Sequence, residues 1–424
     1  MKLQTARGVR DIPPEEKIVK NKVVESLTSM FERYGFLPLE TPIIERFETL
    51  AAKGGAGTAS DALKETFTFQ DQGKRKLGLR FELTTSLARY VAQNPTLKLP
   101  FKRYEMGPVF RDGPIKLGRY RQFWQCDVDT IGTSSMLADA EILSLAETFF
   151  DYWKLNVVIK VNNRKLLNGI LTQAGIKNKE NALIAIDKLE KIGVDGVKKE
   201  LSERKYTSVQ IKNLFTFIQE NRTLQQITKI ITDDEGKEGI EELKELFSYL
   251  NVLGVKNAGF DISMVRGLSY YTGTVFEVFL KKGNVTSSLA GGGRYDNMIG
   301  DFMGGDRIVP AVGIAFGIEP IMDVFKEKAA LGVGSIAKAY IIPINTVQES
   351  LQVAQQLRSA GINTDFALGK KGVSKSLQYA NALNIPYVII IGENECKQNK
   401  VMLRDMKSGS ETLLTVSEVI TKLR

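Results

Sequence analysis

The chain has 424 residues, and its 58 basic and 49 acidic side chains give a formal net charge of +9. This excess of positive charge favours a polyanionic partner such as RNA. A proteome that is generally rich in lysine explains the charge equally well. Histidine is absent, which excludes histidine-based acid–base catalysis, serine–histidine triads and histidine metal ligands. Two distant cysteines, no apolar signal-peptide core and no long apolar run predict a cytoplasmic protein without structural zinc or a membrane span.

The first 163 residues alternate between helical and strand patterns. Apolar residues at i, i+3 and i+4 predict a helix over 13–34, with two prolines at its start, where proline is tolerated. Two apolar runs, 67–71 and 77–82, flank a basic, glycine-containing tip and predict a hairpin. The other predicted elements are a short strand over 36–44, a helix over 84–93, two strands within 104–129, a helix over 136–153 and a strand over 156–161.

Residues 164–253 have a different texture, because they are rich in Lys, Glu, Leu and Ile at helical spacing, and they predict a helical insertion. Strand patterns resume after the insertion and continue to a glycine-rich join at 331–335. The predicted elements between the insertion and the join are strands over 258–265, 274–280, 287–291 and 309–316, and a helix over 317–330.

Beyond the join, strand and helix patterns alternate as in a small α/β domain with a largely parallel sheet. The predicted strands cover 339–344, 363–368 and 387–391, and the predicted helices cover 348–360 and 373–383.

The most informative segment is 104–129, YEMGPVFRDGPIKLGRYRQFWQCDVD. Alternation in its second half predicts that six side chains share one strand face, namely Arg119, Arg121, Phe123, Gln125, Asp127 and Asp129. Guanidiniums bind phosphates, and an aromatic ring can stack on a base, so this row suits an aminoacyl-adenylate. An ordinary hairpin with cross-strand Arg–Asp pairs explains the alternation by itself at least as well.

Three shorter motifs add to this segment. RGLSYYTG at 266–273 places a cation and two phenols at a tight bend, although a β-bulge with core tyrosines is an equal explanation. AGGGRYD at 290–296 is no dinucleotide fingerprint, because no buried strand leads into it, and its glycines suit either close approach to a ligand or a floppy hairpin. In RFELT at 80–84, Glu82 and Thr84 could hold an amino group, or Thr84 could cap a helix.

Taken together, the motifs resemble those of the histidyl-tRNA synthetases, a class II family, nearly end to end. The segment 104–129 looks like motif 2, 309–324 looks like motif 3, and RGLSYYTG and AGGGRYD look like the two signatures of the histidine enzymes. The stretch around Thr41 looks like the dimer-forming motif 1. The resemblance implies an α+β catalytic domain built on an antiparallel sheet, with a helical insertion, plus a C-terminal α/β anticodon-binding domain.

This resemblance also implies domain bounds, ligands and assembly. The catalytic domain would comprise 1–163 and 254–330, interrupted by the insertion at 164–253 and followed by the anticodon-binding domain at 336–424. ATP, histidine and tRNA(His) would be the substrates of a cytoplasmic homodimer, with Mg²⁺ accompanying ATP and no zinc.

Residue by residue, the resemblance implies the following roles. Arg111 and Arg266, the predicted catalytic residues, would bracket the α-phosphate of ATP. Arg119 would reach the outer phosphates, and Phe123 would stack on adenine. The predicted histidine-binding residues are Glu82, Thr84, Gln125, Asp129, Tyr270, Tyr271 and Tyr295.

Three positions depart from the family pattern. Pro320 stands where motif 3 usually carries arginine, Ser269 where the family has aspartate, and Gly113 where many motifs carry glutamate. The first of these departures admits an alternative, a catalytically weak or silent synthetase-like paralogue such as a regulatory subunit in histidine biosynthesis. A plain RNA-binding protein on the same fold is a third reading.

Overall fold

The computed structural model describes residues 3–52, 61–115, 118–218, 222–266, 270–304, 307–327, 334–369 and 372–424. The chain forms two compact units. One comprises Met1–Arg10 and Val23–Val324, and the other comprises Asp11–Lys22 and Phe325–Arg424. None of the helices within the described ranges is both long and apolar enough to cross a membrane.

The predicted elements of the first 163 residues are present, with one exception. The single strand expected over 36–44 is wrong, because the chain forms two short strands that join different sheets. Between them, the Thr41 amide donates to the Glu105 carboxylate at 2.8 Å, and Pro42 has no N–H to give a ladder. The elements are α1 (Pro14–Arg33), β1 (Leu37–Pro38), β2 (Ile44–Arg46), α2 (Phe47–Leu50), α3 (Asp61–Lys64), β3 (Thr68–Gln70), β4 (Lys76–Leu79), α4 (Thr84–Gln93), β5 (Phe101–Phe110), β6 (Gln122–Ile131), α5 (Met136–Tyr152) and β7 (Val157–Asn163).

The insertion is helical in its described residues, as predicted. Helices α6 and α11 approach closely at two glycines, since a Cβ on Gly169 would lie only 2.5 Å from the Cα of Gly236. The helices are α6 (Arg164–Gln173), α7 (Lys179–Ile186), α8 (Leu189–Glu203), α9 (Ser208–Phe217), α10 (Leu224–Thr228) and α11 (Asp234–Val252).

Two predicted strands after the insertion differ from those observed. The strand expected over 258–265 ends at Phe260, because the Asp261 carboxylate accepts hydrogen bonds from the backbone and hydroxyl of Ser263 and turns the chain. The strand expected over 287–291 instead covers the glycine motif. The elements are β8 (Ala258–Phe260), β9 (Thr274–Leu280), β10 (Ala290–Arg294), α12 (Met298–Met303), β11 (Ala311–Gly317) and α13 (Ile318–Glu327).

The main sheet of the first unit has eight strands in the order β1-β5-β6-β11-β10-β9-β7-β8. All neighbouring strands are antiparallel except the two edge pairs, β1–β5 and β7–β8. Strands β2, β4 and β3 form a separate antiparallel sheet that includes the predicted hairpin. This strand order places β6, β11 and β10 side by side at the centre of the main sheet.

The second unit contains a five-stranded sheet, ordered β13-β12-β14-β15-β16. Its first three strands are parallel as predicted, but the last two are antiparallel. They form a hairpin in which Asp405 accepts from the amides of Lys407 and Ser408. The elements are β12 (Ala339–Pro343), α14 (Val347–Ser359), β13 (Thr364–Phe366), α15 (Val373–Ala382), β14 (Tyr387–Ile391), α16 (Glu393–Lys397), β15 (Val401–Asp405), β16 (Glu411–Leu414) and α17 (Val416–Leu423). The two sheets confirm the predicted fold class.

Candidate active site

A cavity of about 1210 Å³ opens over the central strands of the first unit. It brings together every site residue that the sequence predicted, from four separate stretches of chain. These residues are Glu82, Thr84, Arg111, Arg119, Phe123, Gln125, Asp129, Arg266, Tyr270, Tyr271 and Tyr295.

Strand β6 supplies one wall of the cavity, and its alternation is largely as predicted. Phe123, Gln125, Asp127 and Asp129 all face the cavity. Arg121 does not belong to this row, because β6 begins only at Gln122 and the Arg121 guanidinium pairs with Asp112 at 2.7 Å. The alternative of cross-strand ion pairs is also correct at one position, since Asp129 lies opposite Arg103 on β5 and pairs with it at 2.9 Å.

Arg111 lies at the end of β5, where two aromatic rings hold its guanidinium. The guanidinium carbon is 4.3 Å from the centre of the Phe81 ring and 4.9 Å from that of Phe123. Its Nε donates to the Phe81 carbonyl at 3.2 Å. Burial lowers the pKa of Arg111, but arginine stays protonated in proteins. The result is a fixed cation on the cavity wall.

Arg266 is the second positioned cation of the cavity, and it is partly buried. Its Nη1 donates to the Phe276 carbonyl at 3.4 Å and lies 3.9 Å from Glu277 Oε1, while its guanidinium carbon is 5.4 Å from the centre of the Tyr271 ring. Burial disfavours the charge, but Tyr271 and Glu277 outweigh it and raise the pKa of Arg266. The guanidinium is therefore charged and positioned before any ligand arrives.

The glycine motif is a buried central strand, which rules out a floppy hairpin at this position. The three glycines line the cavity, and each also leaves room for a neighbouring protein group. A Cβ would overlap the Arg266 guanidinium at Gly291 and the Gly313 carbonyl at Gly292, and at Gly293 it would lie 2.9 Å from the Tyr271 ring. The motif therefore makes room for the cation and the phenol of the other signature.

A group of acidic and aromatic side chains also lines the cavity. The Tyr295 hydroxyl donates to Asp129 Oδ1, and the Tyr270 ring lies 4.6 Å from Tyr271 and 6.3 Å from Tyr295, measured between ring centres. Glu82 accepts hydrogen bonds from the amides of Thr84 and Thr85 and from the Thr85 hydroxyl. The predicted cap at Thr84 is thus wrong, because the Glu82 carboxylate satisfies the start of α4.

Sequence reasoning did not find several groups around this site. Arg103 and Glu105 lie fully buried on β5, and Glu105 also pairs with Arg80 at 2.9 Å. Their alternation along β5 was the available signal. The insertion also reaches the cavity through α7, α8 and their flanks, where no motif pointed to it. The lining residues from the insertion are Glu180, Asn181, Ile184, Asp187, Lys188, Lys191 and Arg204.

Two of the three departures from the family pattern lie on this cavity, and Ser269 lies outside the described residues. The Pro320 ring packs beside Gly317, within 3.3 Å of where a Cβ would lie there. The Glu65 carboxylate occupies the space beside Gly113, only 2.7 Å from the position of a Cβ. A carboxylate is therefore present near position 113 although the residue there is glycine.

Comparison with known proteins agrees with this geometry. A family model described as histidyl-tRNA synthetase matches residues 8–321, and one described as an anticodon binding domain matches residues 338–424. The chain belongs to the histidyl-tRNA synthetase family. A Bacillus cereus relative named histidine–tRNA ligase 1 is 44% identical over 425 residues, which cover 99% of this chain and 97% of that relative. A Clostridium tetani histidine–tRNA ligase is 37% identical over 428 residues, which cover 97% and 96% of the two chains.

Solved structures of similar proteins have the same fold as this chain. A histidyl-tRNA synthetase from Nostoc sp. superposes with a TM-score of 0.86 at 29% identity, covering 100% of this chain and 99% of that one. A Bacillus halodurans structure described as an ATP phosphoribosyltransferase regulatory subunit/histidyl-tRNA synthetase has a TM-score of 0.76 at 21% identity, covering 92% and 99%. The second similarity shows the fold alone. Full-length ligase relatives and the anticodon-binding match disfavour the regulatory alternative.

Proposed function

We propose that this cavity activates histidine with ATP to give histidyl-adenylate, and that the enzyme then transfers histidine to the 3′ end of tRNA(His). The observation that carries the proposal is that one cavity wall combines two kinds of group. Arg111 and Arg266 provide fixed cations, while Glu82, Asp129 and the tyrosines provide acidic and phenolic groups. An amino acid and a nucleotide phosphate need these two environments side by side.

Histidine binds beside the carboxylates of Glu82 and Asp129. Glu82, Thr84 and Gln125 hold its α-amino group, and Asp129 and Tyr271 bind the imidazole. Tyr295 and Arg103 keep the Asp129 carboxylate in place, since they contact its two oxygens. Tyr270 packs against both of the other tyrosines and completes the pocket wall.

Adenylation needs no base from the protein, which suits a chain without histidine. A carboxylate oxygen of the substrate attacks the α-phosphorus of ATP, and the bond from that phosphorus to the pyrophosphate oxygen breaks. Negative charge grows on the phosphate oxygens, where preorganised guanidiniums stabilise it. Arg111 and Arg266 supply these guanidiniums, Arg119 binds the outer phosphates, and Phe123 stacks on adenine.

In this proposal ATP would carry Mg²⁺ on its phosphates, and the ion would neutralise part of their charge. Among the described residues, no group of three or more Asp, Glu or Cys side chains could hold a metal ion. Glu277, on the cavity wall, lies beside Arg266.

The remaining parts of the chain serve the tRNA in this proposal. The segments 1–163 and 254–330 form the catalytic domain around the 164–253 insertion, and 336–424 binds the anticodon. A phosphate oxygen of the adenylate acts as base for the ribose hydroxyl during transfer. The enzyme works as a cytoplasmic homodimer, with the region around Thr41 at its interface.

ATP–pyrophosphate exchange, run with each amino acid in turn, tests the proposed activity. We expect exchange with histidine alone, because only histidine offers an imidazole to Asp129 and Tyr271. A companion assay measures histidine transfer to tRNA(His). If no amino acid supports exchange, the silent-paralogue alternative replaces this proposal.

The proline in motif 3 provides a separate prediction about ATP. Pro320→Arg should lower the ATP KM by up to about tenfold or leave it unchanged, since it adds a cation to a phosphate-binding cavity. The KM for histidine should not change. Steady-state exchange kinetics measure both constants, with Pro320→Ala as the variant that removes the ring without adding charge. A large rise in the ATP KM for Pro320→Arg alone would mean that another group already fills this space.

A further inference from the structure

Asp127 is a buried carboxyl group to which the roles described above assign no function. It lies on β6 between Gln125 and Asp129, opposite Glu105 on β5 and Ala315 on β11. Only 3% of the residue is exposed, and it lines the active-site cavity. Its Oδ1 atom is buried and accepts no hydrogen bond from any described residue. Such an atom is costly unless a ligand completes it.

The two neighbouring carboxylates, Asp129 and Glu105, already form ion pairs with arginines. Asp129 pairs with Arg103 at 2.9 Å and accepts from Tyr295. Glu105 accepts from the Arg80 guanidinium at 2.9 Å and from Thr41 at 2.7 Å. No guanidinium or ammonium in the described parts of the chain lies within ion-pair distance of Asp127. Asp127 is therefore the carboxyl group of this cluster that remains available to a cation from outside.

The electrostatic surroundings agree with this geometry. Burial raises the pKa of Asp127 well above its ordinary value, and the nearby charges of Asp129, Glu82 and Glu105 raise it further, while Arg103 opposes them. A cation beside the carboxyl group would reverse much of this effect. A neutral ligand would not.

A second unpartnered acceptor lies next to Asp127. Gln125 Oε1 is also buried without a hydrogen bond from a described residue, and side chains two residues apart on a strand share one face. An ammonium group carries a full positive charge and three donors, which matches this pair together with Glu82. The imidazole of free histidine is mostly neutral near pH 7, so it does not supply the missing charge.

We infer that Asp127 is a specificity-determining residue that binds the α-ammonium group of the substrate together with Gln125. This inference rests on the proposed histidine activation, and it adds the Asp127 carboxylate to the residues proposed to bind the substrate. Its consequence is discrimination against ligands that carry an imidazole but lack an α-ammonium group. Asp129 and Tyr271 would still bind the imidazole of such ligands.

Binding of three ligands to Asp127→Asn tests this inference without any need for catalysis. Histidine and histamine both carry the ammonium group, whereas imidazole-4-propionate lacks it. We expect Asp127→Asn to weaken histidine and histamine by about 10- to 100-fold, the range for loss of one charge-assisted hydrogen bond, and to change imidazole-4-propionate less than about twofold. Isothermal titration measures histidine directly and the other two ligands by displacement.

Two further measurements separate this role from a structural one. Asp127→Asn should not lower the unfolding temperature, because the substitution removes a buried carboxyl group without a partner and keeps its size. In exchange assays, the variant should raise the histidine KM and leave the ATP KM unchanged. Asp151→Asn, an exposed substitution on α5, is the matched control and should alter none of these values.

The outcomes distinguish the inference from the activity on which it rests. If the unmodified enzyme neither binds nor activates histidine, the proposed function fails. If it binds histidine and Asp127→Asn binds all three ligands normally, Asp127 has no role in recognition. Equal weakening of all three ligands would place Asp127 at the imidazole or in the pocket framework, and would overturn the ammonium assignment.

Discussion

Arg266→Ala should reduce the rate of histidine adenylation by about 100- to 1000-fold, the range for loss of one preorganised donor to a developing oxyanion. Arg266 is fixed before the reaction by the Phe276 carbonyl and by Glu277, so the enzyme does not have to order it during adenylation. The affinity for histidine should change little, because Arg266 acts on the phosphate. Single-turnover adenylation and a histidine titration measure the two effects separately.

Arg121→Ala is the matched control for this substitution. Arg121 is also an arginine near β6, but its guanidinium pairs with Asp112 and does not line the cavity. Arg266→Lys should recover only part of the rate, since an ammonium cannot form the bidentate contact of a guanidinium. A normal adenylation rate in Arg266→Ala would show that the role assigned to Arg266 is wrong.

The position of Arg266 depends on a residue that carries no functional group. A side chain at Gly291 would occupy the space of the Arg266 guanidinium, so a glycine at this position allows Arg266 to lie there. Sequence alone suggested that the three glycines approach a ligand. It could not reveal which protein groups lie beside the glycines, because these groups come from strands and loops that are distant along the chain.

Local patterns explain why most of the fold was predictable. Apolar spacing gave α4 and β9 their exact bounds, and alternation placed Phe123, Gln125, Asp127 and Asp129 on one cavity wall. Alternation failed at Arg121, since a period of two holds only while the backbone stays extended. The break at 36–44 was equally hidden, because it depends on a hydrogen bond from Thr41 to Glu105, 64 residues away.

The candidate site was predictable as a set of residues but not as a charge arrangement. Motif resemblance identified Asp129, but only the structure shows that Arg103 lies across the ladder from it. No motif pointed to Arg103, because its partners are Asp129 on the neighbouring strand β6 and Glu105 on the same strand, β5. The buried network that supports the histidine pocket therefore required three-dimensional information.

Arg103→Met should lower the free energy of unfolding by about 3–5 kcal/mol near neutral pH, the range for breaking a buried ion pair. Arg103 is fully buried and is the guanidinium that pairs with Asp129, so its loss leaves Asp129 and the neighbouring Glu105 and Asp127 with less positive charge. Chemical denaturation measures the change. Arg75→Met is the control, because its ion pair with Asp71 is exposed and should contribute little.

The pH dependence of this loss provides a sharper test than its size. Burial raises the pKa of Asp129, and Arg103 opposes that rise, so Arg103→Met should raise the pKa further. A carboxyl group whose folded-state pKa is raised stabilises the fold fully below its unfolded pKa and loses that contribution as pH rises through the folded pKa. The deficit of Arg103→Met should therefore be smallest in acid and grow towards neutral pH. Adding Asp129→Asn should recover part of it, because the uncompensated charge is removed. A deficit that is the same at every pH would mean that Arg103 stabilises the fold by packing rather than by charge.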